Sequence, residues 1–201
     1  RILLAAHAPW RGTGYGTPVM LMAEAWKAYG YETACFAIEE RGPGLMEYQG
    51  ITVAMPNHHK DLFGSDVLPD IAHLLRADAV VSLFDPWVLP ETGYSTSGLP
   101  WFPWFPVDQD GALPHRLDLY LPFMTRPVVY SQYAADRIPG AVVIPPPVDV
   151  ETFTPGKRLE ARNRIGLGRV EKLVGIVGSN ILGDRKALAA QVRGFCDFAL
   201  D

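Results

Sequence analysis

Six places along the chain combine residue types and spacing that could do chemistry. The first is Gly12-Thr13-Gly14-Tyr15-Gly16-Thr17, which turns tightly just after an apolar run and just before a helical pattern. Backbone N–H groups presented at a helix start suit a phosphate or another anion. The G-x-G-x-x-G spacing of a dinucleotide fingerprint is absent, and so is the lysine of a P-loop. The same glycines would also serve a plain tight turn that lets strand and helix pack closely. The second is Asp108-Gln109-Asp110, two carboxylates one residue apart that could hold a divalent metal against a diphosphate. Gly111 follows, so a solvated turn is the competing reading. The third is Arg185-Lys186, two cations near the start of a helical stretch, where the helix dipole disfavours positive charge unless an anion is bound. Asn180 in the preceding turn could add a hydrogen bond. A solvated surface pair is the alternative.

The remaining candidates are single groups. His7, Asp85 with Trp87, and Ser131 each follow an apolar run and so fall near a strand end. His58-His59 sit in a polar stretch with no Cys or Glu at ligand spacing, so no metal site is expected. Trp10, Trp87, Trp101 and Trp104 could stack on sugar rings, although core packing is the commoner use of tryptophan. No Ser-His-Asp or Cys-His set can be assembled, and no residue is assigned as a catalytic nucleophile.

These groups need a frame, and the apolar pattern supplies one. Buried strands are expected at Ile2–Ala6, Thr33–Ile38, Ile51–Met55, Ala79–Phe84, Trp101–Val107, Pro127–Ser131 and Ala141–Ile144. Helices are expected at Val19–Tyr29, with Thr17 as cap and Pro18 at its first position, at Asp66–Arg76 with Asp66 as cap, at Pro114–Met124 and at Gln132–Ile138. Strands alternating with helices predict an α/β fold: a doubly wound, mostly parallel, Rossmann-like sheet with strand order reversing near the first strand. In such sheets ligands bind beyond the carboxyl ends of the strands, where the candidates fall. After residue 148 the texture changes. A connector and charged helix (149–171) lead to an apolar strand at Lys172–Val177 and a helix from about Asp184, read as the incomplete start of a second Rossmann-like domain (172–201) after a first domain of residues 1–148.

Composition bounds the partners. The 201 residues are 48 % hydrophobic and 20 % charged, enough apolar material for a core. A net charge of −4 argues against nucleic acid. Two distant cysteines, Cys35 and Cys196, make no disulfide framework, so a cytoplasmic, reducing location is expected. No apolar run approaches the ~18 residues of a membrane span. The chain opens Arg1-Ile2 and ends in a helical pattern, so it is read as cut from a longer protein.

One stretch resembles a known family. Val143-Ile144-Pro145-Pro146-Pro147-Val148-Asp149, followed by Phe153-Thr154-Pro155, is similar to the interdomain segment V-I-P-x-G-V-D…F-x-P of GT-B glycosyltransferases of the glycogen-synthase-like group (family 4). Arg162–Leu167 resembles their R-x-x-L-G-L helix end. Leu173–Gly178 with Asn180 and Arg185-Lys186 resembles the strand and phosphate loop that open their donor domain. Gly14–Thr17, Pro106–Asp108 with Leu113-Pro114, and Val129–Tyr133 fit their acceptor-side domain. The resemblance implies a retaining, metal-independent transfer of a sugar from a nucleotide-sugar, with no other cofactor. The acceptor would be a saccharide, lipid or protein, and a peripheral place at a membrane stays open. Residues 1–148 would be the acceptor-side domain, and the 201-residue chain would be inactive alone. Gly14, Gly16, Asn180, Arg185 and Lys186 would hold the donor diphosphate. His7, Tyr15, Asp85, Trp87, Asp108 and Ser131 would line the acceptor cleft. Pro147 stands where the family has glycine, Gly178-Ser179 where it has Gly-Arg, and the family's Glu-x7-Glu is not in this chain. Two rival readings remain at this stage: a metal-dependent GT-A transferase using Asp108 and Asp110, and a non-catalytic ligand-binding module.

Overall fold

The computed structural model describes residues 1–42, 44–55, 60–89, 94, 97–108, 117–168, 172–178, 183 and 186–200. The chain separates into two units, Arg1–Phe153 and Thr154–Asp201.

The first unit is built on one sheet of eight strands: β1 (Ile2–His7), β2 (Thr33–Ile38), β3 (Gly44–Tyr48), β4 (Ile51–Met55), β5 (Ala79–Leu83), β6 (Trp101–Phe105), β7 (Val128–Val129) and β8 (Val142–Val143), in spatial order β3-β4-β2-β1-β5-β6-β7-β8. Every neighbouring pair is parallel except β3 with β4. The mostly parallel α/β sheet expected from the sequence is therefore present. The chain moves outward from β1 to β2 and β4, then crosses back and continues outward through β5 on the other side. Its order reverses between β1 and β5, as the pattern predicts.

Alternation along the strands feeds both faces. From β1, Leu3 and Ala5 enter one core with Phe36, Leu68 and Trp101. Leu4 and Ala6 enter the other with Val19, Met22, Cys35 and Trp104. Helix α1 (Pro18–Ala28) covers the second face through Val19, Met22 and Ala23. Helix α2 (Leu68–Leu74) and helix α3 (Leu117–Tyr120) cover the first through Leu68, Ala72, Leu117 and Tyr120. Helices on both faces make the sheet doubly wound. β1 is buried on both faces along its middle, while Val81 and Val128 are only half-buried.

Four local expectations need correction. β3 was not expected. Three of its five side chains are exposed, so it lacks an apolar stripe, and it is held by a two-residue turn in which Gln49 (φ 47°) and Gly50 (φ 83°) both take positive φ. Thr17 occupies the cap position of α1 without a capping side-chain bond, because it already has helical φ and ψ and its N–H is taken by the Thr13 carbonyl at 3.0 Å. Asp66 does not cap α2, which starts from Val67. Helix α4 (Gln132–Ala135) stops one turn short of Ile138.

In the second unit, helix α5 (Arg158–Arg164) ends on Gly166 at φ 74°, with the Leu167 N–H reaching the Arg162 carbonyl at 2.9 Å and the Gly166 N–H reaching that of Asn163 at 3.1 Å. This is a Schellman close. Residues 172–177, expected as a strand, form none. A strand needs a ladder partner for its N–H and C=O groups, no described residue supplies one, and Leu173, Val174 and Val177 are exposed. Helix α6 (Leu188–Leu200) follows.

Candidate functional site

The reversal between β1 and β5 opens a crevice at their carboxyl ends, where open α/β sheets bind ligands. The loop after β1 and the turn after β5 meet there: the Tyr15 hydroxyl donates to Asp85 Oδ1 at 2.8 Å. Beside them lies a cleft of about 660 Å³, within the size range of small-molecule sites. Its walls include Gly14, Tyr15, Leu21, Pro106, Tyr130 and the Pro146–Asp149 segment with Phe153, all from the first unit.

The loop is shaped from beneath by His7. His7 Nδ1 lies 2.8 Å from Thr13 Oγ1, which also accepts the Gly16 N–H at 3.0 Å. His7 Nε2 stands 3.3 Å from Glu39 Oε2, within Coulombic reach but without hydrogen-bond alignment. The imidazole is held edge-on between the rings of Tyr15 (5.7 Å) and Phe84 (5.2 Å). Burial is the largest influence on His7 and lowers its pKa below the usual 6.5, against the opposing pull of Glu39. A folded state that binds His7's proton less well than the unfolded chain loses stability on acidification. We expect the melting temperature to fall as pH drops below about 6.5, and His7→Gln to flatten that slope. An unchanged slope in the variant would show that His7 does not report there.

Gly16 and Gly14 differ in kind. A Cβ on Gly16 would lie 2.4 Å from the Arg11 carbonyl oxygen and 2.7 Å from that of Ala8, so its bareness is needed for packing. A Cβ on Gly14 would meet nothing within 4 Å. The N–H groups of Gly14 and Tyr15 donate to no backbone carbonyl among the described residues. Like the Gly12 amide, and unlike that of Gly16, these two amides are left for an anion among the described residues.

Burial raises the pKa of Asp85, the Tyr15 hydrogen bond lowers it, and the Asp108 charge raises it. Tyr15 and Tyr130 are both pushed upward by burial first and by Asp85 next, so both stay as phenols at neutral pH. Tyr15, Asp85, Tyr130 and Asp108 therefore form one electrostatic neighbourhood.

Two expected cleft residues serve elsewhere. Ser131 caps α4, its hydroxyl accepting the Ala134 N–H at 3.4 Å. Trp87 packs edge-to-face on Phe105 at 5.8 Å as part of the core margin. Trp101 is buried, with its indole N–H on Ser82 Oγ at 2.9 Å. Trp104 clips the chain after β8, donating to the Ile144 carbonyl at 2.7 Å. Tyr130 was missed by the reading of strand ends. β7 stops at Val129 instead of Ser131, which makes Tyr130 the first residue beyond it.

Asp110, His58, His59, Asn180 and Arg185 lie outside the described residues. Among the described residues no three His, Cys, Asp or Glu side chains gather as a metal site. Lys186 belongs to the second unit and is exposed, its carbonyl accepting the Gln191 amide at 2.7 Å. Cys35 is buried and Cys196 exposed, both as free thiols. Among the described residues no helix is long and apolar enough to cross a membrane.

The sequence matches no protein-family profile and no curated protein. Among solved structures, sucrose-phosphate synthase from Thermosynechococcus elongatus superposes with a TM-score of 0.43 at 12 % identity, covering 76 % of this chain and 91 % of that one.

Proposed function

We propose that the first unit is the acceptor-side half of an enzyme that moves a sugar from a nucleotide-sugar to an acceptor, with retention at the anomeric carbon. One observation carries this reading. The Pro146–Asp149 segment and Phe153, whose sequence resembles a glycosyltransferase interdomain segment, share one cleft with the Gly14–Thr17 loop at the sheet's reversal point. Beside that cleft lie the Gly14 and Tyr15 amides, which donate to no backbone carbonyl among the described residues. The amides of Gly14 and Tyr15 suit the donor diphosphate, since preorganised N–H donors stabilise charge without reorganising as it develops. Gly16 supports the loop instead of touching the phosphate. On this reading Arg185, Lys186 and Asn180 are the second unit's own candidates for a donor diphosphate, as the resemblance implies.

The test is transfer or slow hydrolysis of a panel of nucleotide-sugars by the protein carrying these 201 residues, with and without chelator. Removing one donor to a developing anion costs ~10²–10³ in rate. Lys186→Ala is therefore expected to slow transfer roughly a hundredfold, and Lys186→Arg to restore most of it. Wild-type rates in the Arg185→Ala, Lys186→Ala double variant would remove those cations from the proposal. Activity abolished by chelator would shift weight to Asp108 and Asp110 as metal ligands.

A further inference from the structure

We propose that the acceptor received by the cleft is a hydroxyl-bearing molecule with a flat apolar body, a phenol or ring alcohol rather than a sugar. The inference rests on the transfer reading above and names the substrate class of the same site.

The argument is an inventory of polar groups. A bound hexose presents hydroxyls on nearly every edge, and each one buried without a partner costs about 1–3 kcal/mol. The cleft has few groups free to meet them. Thr13 Oγ1 is already engaged by His7 and by the Gly16 N–H. Both carboxylate oxygens of Asp149 are used within its own turn: Oδ1 accepts the N–H groups of Glu151 (3.0 Å) and Thr152 (3.1 Å), and Oδ2 accepts the Thr152 hydroxyl. The Tyr15 hydrogen points at Asp85. Apart from the Thr17 hydroxyl at the rim and the Gly14 and Tyr15 amides, which the transfer reading gives to the diphosphate, this leaves one polar side-chain edge among the described residues, the Tyr130 phenol beside the Tyr15–Asp85 pair. Tyr130 makes no hydrogen bond among the described residues and is close enough to Asp85 to feel its charge.

The other walls are flat and apolar: the rings of Pro106, Pro146, Pro147 and Phe153, with Leu21 from α1. Phe153 is 73 % exposed and Val148 62 % exposed, apolar surface that an apolar ligand would cover. Ring stacking on such walls rewards a flat apolar face. A single polar edge opposite them selects one hydroxyl. In transfer, that hydroxyl oxygen bonds to the sugar's anomeric carbon and the bond from that carbon to the diphosphate breaks. The hydroxyl proton leaves on the departing phosphate.

The experiment titrates the 201-residue chain with 2-naphthol, 2-methoxynaphthalene and methyl α-glucoside, read by ligand-observed NMR, alongside a nucleoside diphosphate. 2-Naphthol should bind, its methyl ether about tenfold more weakly for loss of one hydrogen bond, and the glucoside not measurably. Tyr130→Phe should bring naphthol down to the ether's affinity while leaving the ether and the melting temperature unchanged. Leu21→Asp should weaken both aromatic probes. Equal binding of naphthol and ether, or glucoside binding with naphthol excluded, overturns the inference. Naphthol binding without nucleoside diphosphate binding upholds this specificity and instead counts against the transfer reading.

Discussion

Gly16→Ala should lower the stability of the first unit by about 3 kcal/mol, the upper end of the usual cost of overpacking, while Gly14→Ala should leave it unchanged. A Cβ at Gly16 would stand 2.4 Å and 2.7 Å from two backbone oxygens, Arg11 and Ala8. Backbone cannot swing aside as a flexible side-chain end can. The loop must open, and opening it breaks the Gly16 N–H bond to Thr13 and with it the connection to His7. Denaturant melts of the two alanine variants make the comparison. Nucleoside diphosphate titration then separates support from contact. Gly16→Ala should weaken binding in step with its lost stability, whereas Gly14→Ala should melt like the parent and retain its N–H. Equal melts for both variants would contradict the close packing assigned to Gly16.

The residues differ in how plainly they announce their roles. β1, β2 and β4 were legible because each is an uninterrupted apolar run with nothing to compete for it, and β2 and β4 fall at the expected bounds. β3 was not, since an edge strand with exposed side chains has neither alternation nor a run. Its signal was the Gln49-Gly50 turn. The cleft was half legible. The glycine turn and Asp85 follow strands directly, so topology alone sends them to the reversal point. Ser131 and Trp87 follow strands too, but a free hydroxyl serves as a helix cap and an indole fills a core gap, and neither use shows in sequence position. Tyr130 was hidden by a two-residue error in the end of β7. Pro106 was hidden in the same way, because β6 ends at Phe105 instead of Val107, while Leu21 reaches the cleft only through tertiary placement, for which a single sequence carries no signal. The apolar character of the cleft was illegible for the same reason, because it depends on which polar groups are already spent.

Trp101→Ala should cost about 3–5 kcal/mol, the range for removing a large aromatic from a core, against a typical domain stability of only 5–15 kcal/mol. Trp101 is 1 % exposed and opens β6, with the rings of Tyr94 and Tyr120 at 5.5 Å and 6.4 Å. Its indole N–H meets the hydroxyl of Ser82, itself fully buried on β5. Alanine therefore leaves a cavity and an unpaired hydroxyl together. Trp101→Phe keeps most of the volume but strands Ser82, for about 1–3 kcal/mol. Ser82→Ala on the parent should cost a similar amount by stranding the indole N–H. Combining Trp101→Phe with Ser82→Ala should recover part of that loss, because both partners are then apolar. Trp101 lies at the amino end of β6, whereas the cleft draws Pro106 from beyond its carboxyl end. The damage should thus appear as a melting temperature lowered by roughly 10 °C, with ligand affinity at low temperature close to the parent's. Affinity lost without a change in melting would instead place Trp101 in communication with the cleft. That outcome would revive sugar stacking as a use for a tryptophan that the structure buries in the core.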